Sequence, residues 1–194
     1  MEKIILQKDL FPTLIRLNGC NSHLEYPVGS YMPSLLDYTE SAAKKLVELF
    51  PGDNIALIVR GTSGAMIGGL IASRLIYNAG ICVKVIISRK PEDDCHAANL
   101  EDIDLVLNYK EEIPFRLVVA DDFISSGNTL YKIVRDVESY IGQPFIFDAL
   151  VVHNNLICNK DIEGDRISGN LKLPEEGTIA EEILLTNFLN ILCL

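Results

Sequence analysis

Leu117-Val118-Val119-Ala120-Asp121-Asp122-Phe123-Ile124-Ser125-Ser126-Gly127-Asn128-Thr129 is the stretch on which the reading of the chain turns. An apolar run ending in two carboxylates, then a hydroxyl- and glycine-bearing turn, then an amphipathic segment reads as strand, anion-binding loop and helix N-terminus. From Ser125 to Thr129 the turn offers three hydroxyls, a carboxamide and a glycine whose missing side chain lets backbone N–H groups approach a phosphate. Downstream, Leu130, Ile133, Val134, Val137 and Ile141 recur at helical spacing, with Lys132, Arg135, Asp136 and Glu138 on the other face and Gly142 as the stop. The positive end of that helix faces the loop. Asp121 and Asp122 repel a phosphate, so they need a different partner: sugar hydroxyls, a divalent metal or a developing cation. A phosphorylated sugar satisfies both halves.

Working outward, Ser34–Phe50 carries Leu35, Leu36, Ala42, Ala43, Leu46, Val47 and Phe50 on a helical face closed by Pro51-Gly52-Asp53. Asn54–Val59 is a short apolar run suited to a buried parallel strand, and it ends in Arg60-Gly61-Thr62-Ser63-Gly64. The next helix, about Ala65 to Tyr77, is apolar nearly all round and carries Gly68-Gly69, which places it close against the sheet; Asn78-Ala79-Gly80 stops it. Strands are expected at Ile81–Ser88, Ile103–Leu107, Phe115–Ala120 and Phe145–Val152, with earlier short ones at Ile4–Leu6 and Leu14–Leu17. The charged, aperiodic run Arg89 to Asn99 reads as a surface loop. Thr178–Leu194, with Glu181-Glu182 near its start and an apolar stripe after it, reads as a terminal helix that packs on the core or makes a subunit contact.

Alternating strands and helices of this length predict an α/β domain with a mainly parallel sheet flanked by helices. Its site would lie beyond the carboxyl ends of the strands, where Arg60-Gly61, Arg89-Lys90 and Asp121-Asp122 gather. At 194 residues and 48% hydrophobic content, one domain with an ample core is expected. The formal charge of −10 opposes nucleic acid as a partner, and no Lys/Arg run offsets it. Five cysteines without a CxxC pair fit a reducing cytoplasm, and no run is long enough for a signal peptide or a membrane span. A soluble, cytoplasmic protein is expected, with no membrane partner.

The stretch quoted first resembles the 5-phosphoribosyl pyrophosphate (PRPP) binding motif of the type I phosphoribosyltransferases: four apolar residues, two acids, two apolar residues, then a small-residue turn with Gly and Thr. The resemblance covers about Asn54 to Gly142 and implies that family's fold, with a small hood subdomain from 1–33 and/or 153–194 over a core of about 34–152. It implies a Mg²⁺-dependent transfer of the 5-phosphoribosyl group from PRPP to a nucleobase, with release of pyrophosphate, and a homodimer. In that reading Asp121 and Asp122 hold the ribose hydroxyls and, through ribose or water, the metal. Ser125, Ser126, Gly127, Asn128 and Thr129 anchor the 5-phosphate. Arg60, Gly61, Thr62 and Ser63 form the pyrophosphate loop, where Arg-Gly resembles adenine phosphoribosyltransferases. Arg89 and Lys90 open the loop that brings cations to the departing pyrophosphate, as in the adenine and orotate branches.

Neither branch is matched throughout. Where the orotate enzymes carry a further Lys, then a His and a glycine, this chain has Asp93, a His96 displaced by one residue, and Ala97. Leu17-Asn18-Gly19 with Ser22 and Tyr26 resembles the base-side segment of orotate enzymes, and His153-Asn154-Asn155 offers polar groups for a base edge. Ser125 stands where hypoxanthine-guanine enzymes carry an Asp. The orotate-like or adenine-like branch stays open, and two other uses of the fold remain beside it: a PRPP-binding regulator without turnover, and a defence-type enzyme.

Overall fold

The structure is a computed structural model and describes residues 13–16, 32–89, 99–108, 113–122, 124, 127–152 and 179–193. In chain order the elements are β1 (Thr13–Arg16), α1 (Met32–Leu49), β2 (Asn54–Arg60), α2 (Gly61–Ala79), β3 (Val83–Ser88) and α3 (Ile103–Leu107), followed by β4 (Phe115–Ala120), α4 (Asn128–Ile141), β5 (Ala149–Val152), α5 (Ile179–Thr186) and β6 (Asn190–Cys193). Six strands form one sheet in the order β1-β6-β5-β4-β2-β3, and every pairing is parallel. The α/β architecture expected from the alternation of strands and helices is therefore present.

The strand alternation sorts the core into two layers. Ala56 and Ile58, Leu117 and Val119, and Leu150 and Val152 point to one face, where residues of α3, α4 and α5 cover them. Ile55, Leu57 and Val59, Val118 and Ala120, and Ala149 and Val151 point to the other, under α1 and α2. The Val, Leu and Ile side chains among them contribute roughly 1.5–3 kcal/mol each by leaving water.

Two elements differ from expectation. Ile103–Leu107 is a helix rather than a strand: Ile103 and Val106, three apart, are buried while Leu105 is exposed, and a five-residue apolar run carries no period long enough to separate the two states. The terminal helix ends at Thr186 rather than continuing to Leu194. Asn187 donates its side-chain amide to Phe145 O at 3.0 Å and Asn190 donates to Asp148 O at 2.8 Å, and the chain then pairs as β6 between β1 and β5. Residues 13–16 and 190–193, which lie within the segments (1–33 and/or 153–194) expected to supply a hood, pair in the main sheet. The Ile4–Leu6 strand, the Leu17 to Tyr26 segment and His153-Asn154-Asn155 lie outside the described residues.

From β2 the chain crosses through α2 to β3 on one side; from β4 it crosses through α4 to β5 on the other. α2 and α4 consequently lie on opposite faces, and a crevice opens between the carboxyl ends of β2 and β4. Parallel sheets bind ligands at such a reversal of strand order.

Candidate active site

Two strand ends and two helix starts meet in that crevice. β2 ends at Arg60 and passes directly into α2 through Gly61, whose φ of +69° few other residues adopt. β4 continues its ladder one residue further, as Asp121 N–H donates to Val151 O at 3.0 Å. α4 then starts at Asn128, behind Gly127 at φ +76°. A cavity of about 370 Å³ lies between them, lined on the α2 side by Arg60, Gly61, Thr62 and Ser63. Asp121 and Asp122 line its floor with Asn128, Thr129 and Lys132 from α4. Eight predicted site residues therefore share one cavity, and Lys132 joins them.

Both helix N-termini open into this space, so unpaired backbone N–H groups and the positive ends of two helices converge there. Such an arrangement favours a doubly anionic ligand. Close packing fixes it: a Cβ on Gly68 would stand 2.5 Å from Val59 Cγ1, so α2 lies directly on β2. At Gly64 a Cβ would stand 3.3 Å from Ala120 O, so α2 also lies close on the end of β4, with Asp121 Oδ1 in ordinary contact at 3.7 Å.

The two acids are not equivalent. Asp121 is only 4% exposed, and its Oδ1 accepts the Asp122 N–H at 2.9 Å. Burial, and secondarily the neighbouring Asp122 charge, raise its carboxyl well above the ordinary aspartate range. Asp122 is half-buried. Asp121 is thus the group of the pair that keeps its proton to higher pH than an ordinary aspartate.

Arg60 is held from two elements. Its Nη1 donates to Asp136 Oδ2 on α4 at 2.9 Å and to Ser88 Oγ at the end of β3, while Ser88 Oγ donates to the same Asp136 oxygen at 2.7 Å. Asn99 Nδ2 donates to that oxygen at 3.3 Å, and Asn99 Oδ1 accepts the Arg89 N–H at 2.7 Å. Arg89 therefore stands at the edge of this network rather than among the residues lining the cavity. Lys90, Ser125, Ser126, Asp93, His96 and Ala97 lie outside the described residues. Sequence reading missed Ser88, Asn99, Asp136 and Lys132. The available signal was that Asn128, Lys132 and Asp136, spaced by four, share one face of α4.

No family model matches the chain, and no curated protein matches it. Among solved structures it is similar to a hypoxanthine-guanine phosphoribosyltransferase from Bacillus anthracis str. 'Ames Ancestor', at 18% identity and a TM-score of 0.41 over 63% of this chain and 68% of that one. A Leishmania tarentolae enzyme of that kind, in complex with GMP, is 20% identical with a TM-score of 0.41 over 66% of this chain and 71% of that one. The hypoxanthine phosphoribosyltransferase from Trypanosoma cruzi, in complex with IMP, is 11% identical with a TM-score of 0.44 over 82% of this chain and 72% of that one. Likeness at this level leaves the activity resting on the site itself.

Proposed function

We propose that this chain is a type I phosphoribosyltransferase, transferring the 5-phosphoribosyl group of PRPP to a nitrogen of a nucleobase with release of pyrophosphate. One observation carries the reading: the Gly61–Ser63 turn, the Asp121-Asp122 pair and the Asn128–Thr129 helix start line one cavity. PRPP has two anionic ends on a sugar, and the cavity has two helix N-termini on either side of a pair of carboxyl groups.

In the reaction the bond from ribose C1 to the pyrophosphate oxygen breaks, its electron pair leaves with pyrophosphate, and a base nitrogen bonds to C1 and gives up its proton to solvent. Positive charge grows on the ring and negative charge on the leaving group, and stabilising both is the catalytic task. Asp122 would accept hydrogen bonds from the ribose hydroxyls and favour the cationic ring, with Asp121 beneath it fixing the orientation. The α4 start, with Ser125, Ser126, Gly127, Asn128 and Thr129, would anchor the 5-phosphate so that the base meets C1 in line. Arg60, Gly61, Thr62 and Ser63 would receive pyrophosphate, with Arg89 and Lys90 as further cations.

Among the described residues no cluster of three His, Cys, Asp or Glu offers a metal cage. Two hard carboxylates beside an anion site do fit Mg²⁺, which takes few protein ligands when phosphates and water complete its shell. Asp121 and Asp122 would hold it, directly or through ribose and water, and it would neutralise charge on the pyrophosphate.

The test is pyrophosphate release from Mg-PRPP across a panel of purine and pyrimidine bases. Release that depends on one base class supports the transferase. Tight PRPP binding with no release from any base would move the chain to the regulator reading.

A further inference from the structure

We infer that Lys132 is a substrate-binding residue, whose ammonium receives the 5-phosphate of the sugar at the start of α4. The inference rests on the phosphoribosyltransferase reading and adds to it a cation that the motif does not contain.

Lys132 is exposed and lines the cavity together with Asn128 and Thr129, four and three residues before it. Helical side chains lean toward the N-terminus and cover the preceding turn, so the ammonium is carried back over the helix start. A lysine there is disfavoured by the positive end of the helix unless an anion occupies that end.

Its lack of a protein partner is the second observation. Lys44, Lys45 and Lys84 each pair with a carboxylate, whereas Lys132 makes no ion pair among the described residues. Asp136, one turn along at the usual helical pairing distance, has its Oδ2 occupied by Arg60, Ser88 and Asn99. Arg60 meanwhile has Nη1 committed to Asp136. Lys132 is thus a cation facing the cavity whose charge no described carboxylate answers.

Calorimetric titration of ribose 5-phosphate and, separately, of pyrophosphate into wild type, Lys132→Gln and Lys132→Arg tests this. Lys132→Gln should bind ribose 5-phosphate about tenfold more weakly or worse, the scale of losing a charge-assisted hydrogen bond. Pyrophosphate binding should be unchanged, and Lys132→Arg should stay near wild type. Equal loss for both ligands would mark a diffuse charge effect and overturn the contact, as would an unchanged affinity for ribose 5-phosphate. If wild type binds neither ligand, the phosphoribosyltransferase reading falls, and this inference with it. Lys132 is exposed, so the variants should fold, and circular dichroism checks that they do.

Discussion

Nη1 of Arg60 lies 2.9 Å from Oδ2 of Asp136, and the two side chains are 5% and 28% exposed. This ion pair ties the carboxyl end of β2 to the third turn of α4, across the crevice on which the site is built. The same Asp136 oxygen also accepts from Ser88 and Asn99. A cation beside the Gly61–Ser63 lining of the cavity is thereby positioned by the helix whose start, Asn128 and Thr129, also lines it.

Replacing Asp136 by Asn should cost about 1–3 kcal/mol of stability, because a largely buried guanidinium loses its counter-charge. Urea unfolding measures it. For contrast, breaking the Lys44–Glu40 pair, whose side chains are 69% and 41% exposed, should leave stability essentially unchanged, because solvent screens it. A double-mutant cycle with Arg60→Gln should show coupling between positions 60 and 136. Additive effects would mean that the pair is geometry without energetic consequence.

Gly68 and Gly69 are adjacent in α2 and should respond in opposite directions to alanine. At Gly68 a Cβ meets Val59 Cγ1 at 2.5 Å, whereas at Gly69 nothing lies within 4 Å. Gly68→Ala should destabilise by about 1–3 kcal/mol through overpacking. Gly69→Ala should stabilise by about 0.5–1 kcal/mol, as it removes a helix-interior glycine. Thermal melts of the two single variants decide the matter, and like signs would contradict the packing of α2 on β2.

Asp121 gives a pH dependence with a definite sign. Its folded-state pKa is raised, first by burial and then by Asp122, so the folded state holds a proton that the unfolded chain releases. Wild type should lose stability relative to Asp121→Asn as pH rises from the ordinary aspartate range, near 3.9, through the raised value. Melting both proteins in EDTA, so that no divalent ion competes for the carboxyl, should give a difference that widens with pH and then levels off. A flat difference would mean that Asp121 titrates normally.

β2 and β4 are legible as short continuous apolar runs ending in polar residues, and α4 as a strong helical period with a clear stop at Gly142, where φ is +77° and the N–H bonds Glu138 O at 2.7 Å. The short run Ile103–Leu107 gave no period, and Asn187 and Asn190 passed unnoticed inside an apolar stretch that looked helical. Local sequence holds the charge of Arg60 but not its partner, since Asp136 lies 76 positions away. Amphipathic spacing likewise separates the polar side of α4 from its apolar side, yet cannot say that Lys132 and Asp136 meet a cavity and a strand end rather than water. Asp121 reads from sequence as an acid facing ligand, whereas its burial is set by the tertiary packing around the end of β4.

The most direct measurement is the melting temperature of wild type and of the Asp121→Asn, Asp122→Asn double variant, with and without Mg-PRPP. A ligand at 100 times its Kd stabilises the native state by about 2.7 kcal/mol, which for a chain of this length is a rise of roughly 5–10 °C. Wild type should show that rise. The double variant should keep its fold, lose most of the rise and release no pyrophosphate. Absence of any shift in wild type at millimolar Mg-PRPP, or an undiminished shift and turnover in the double variant, would contradict the assignment of this cavity to PRPP.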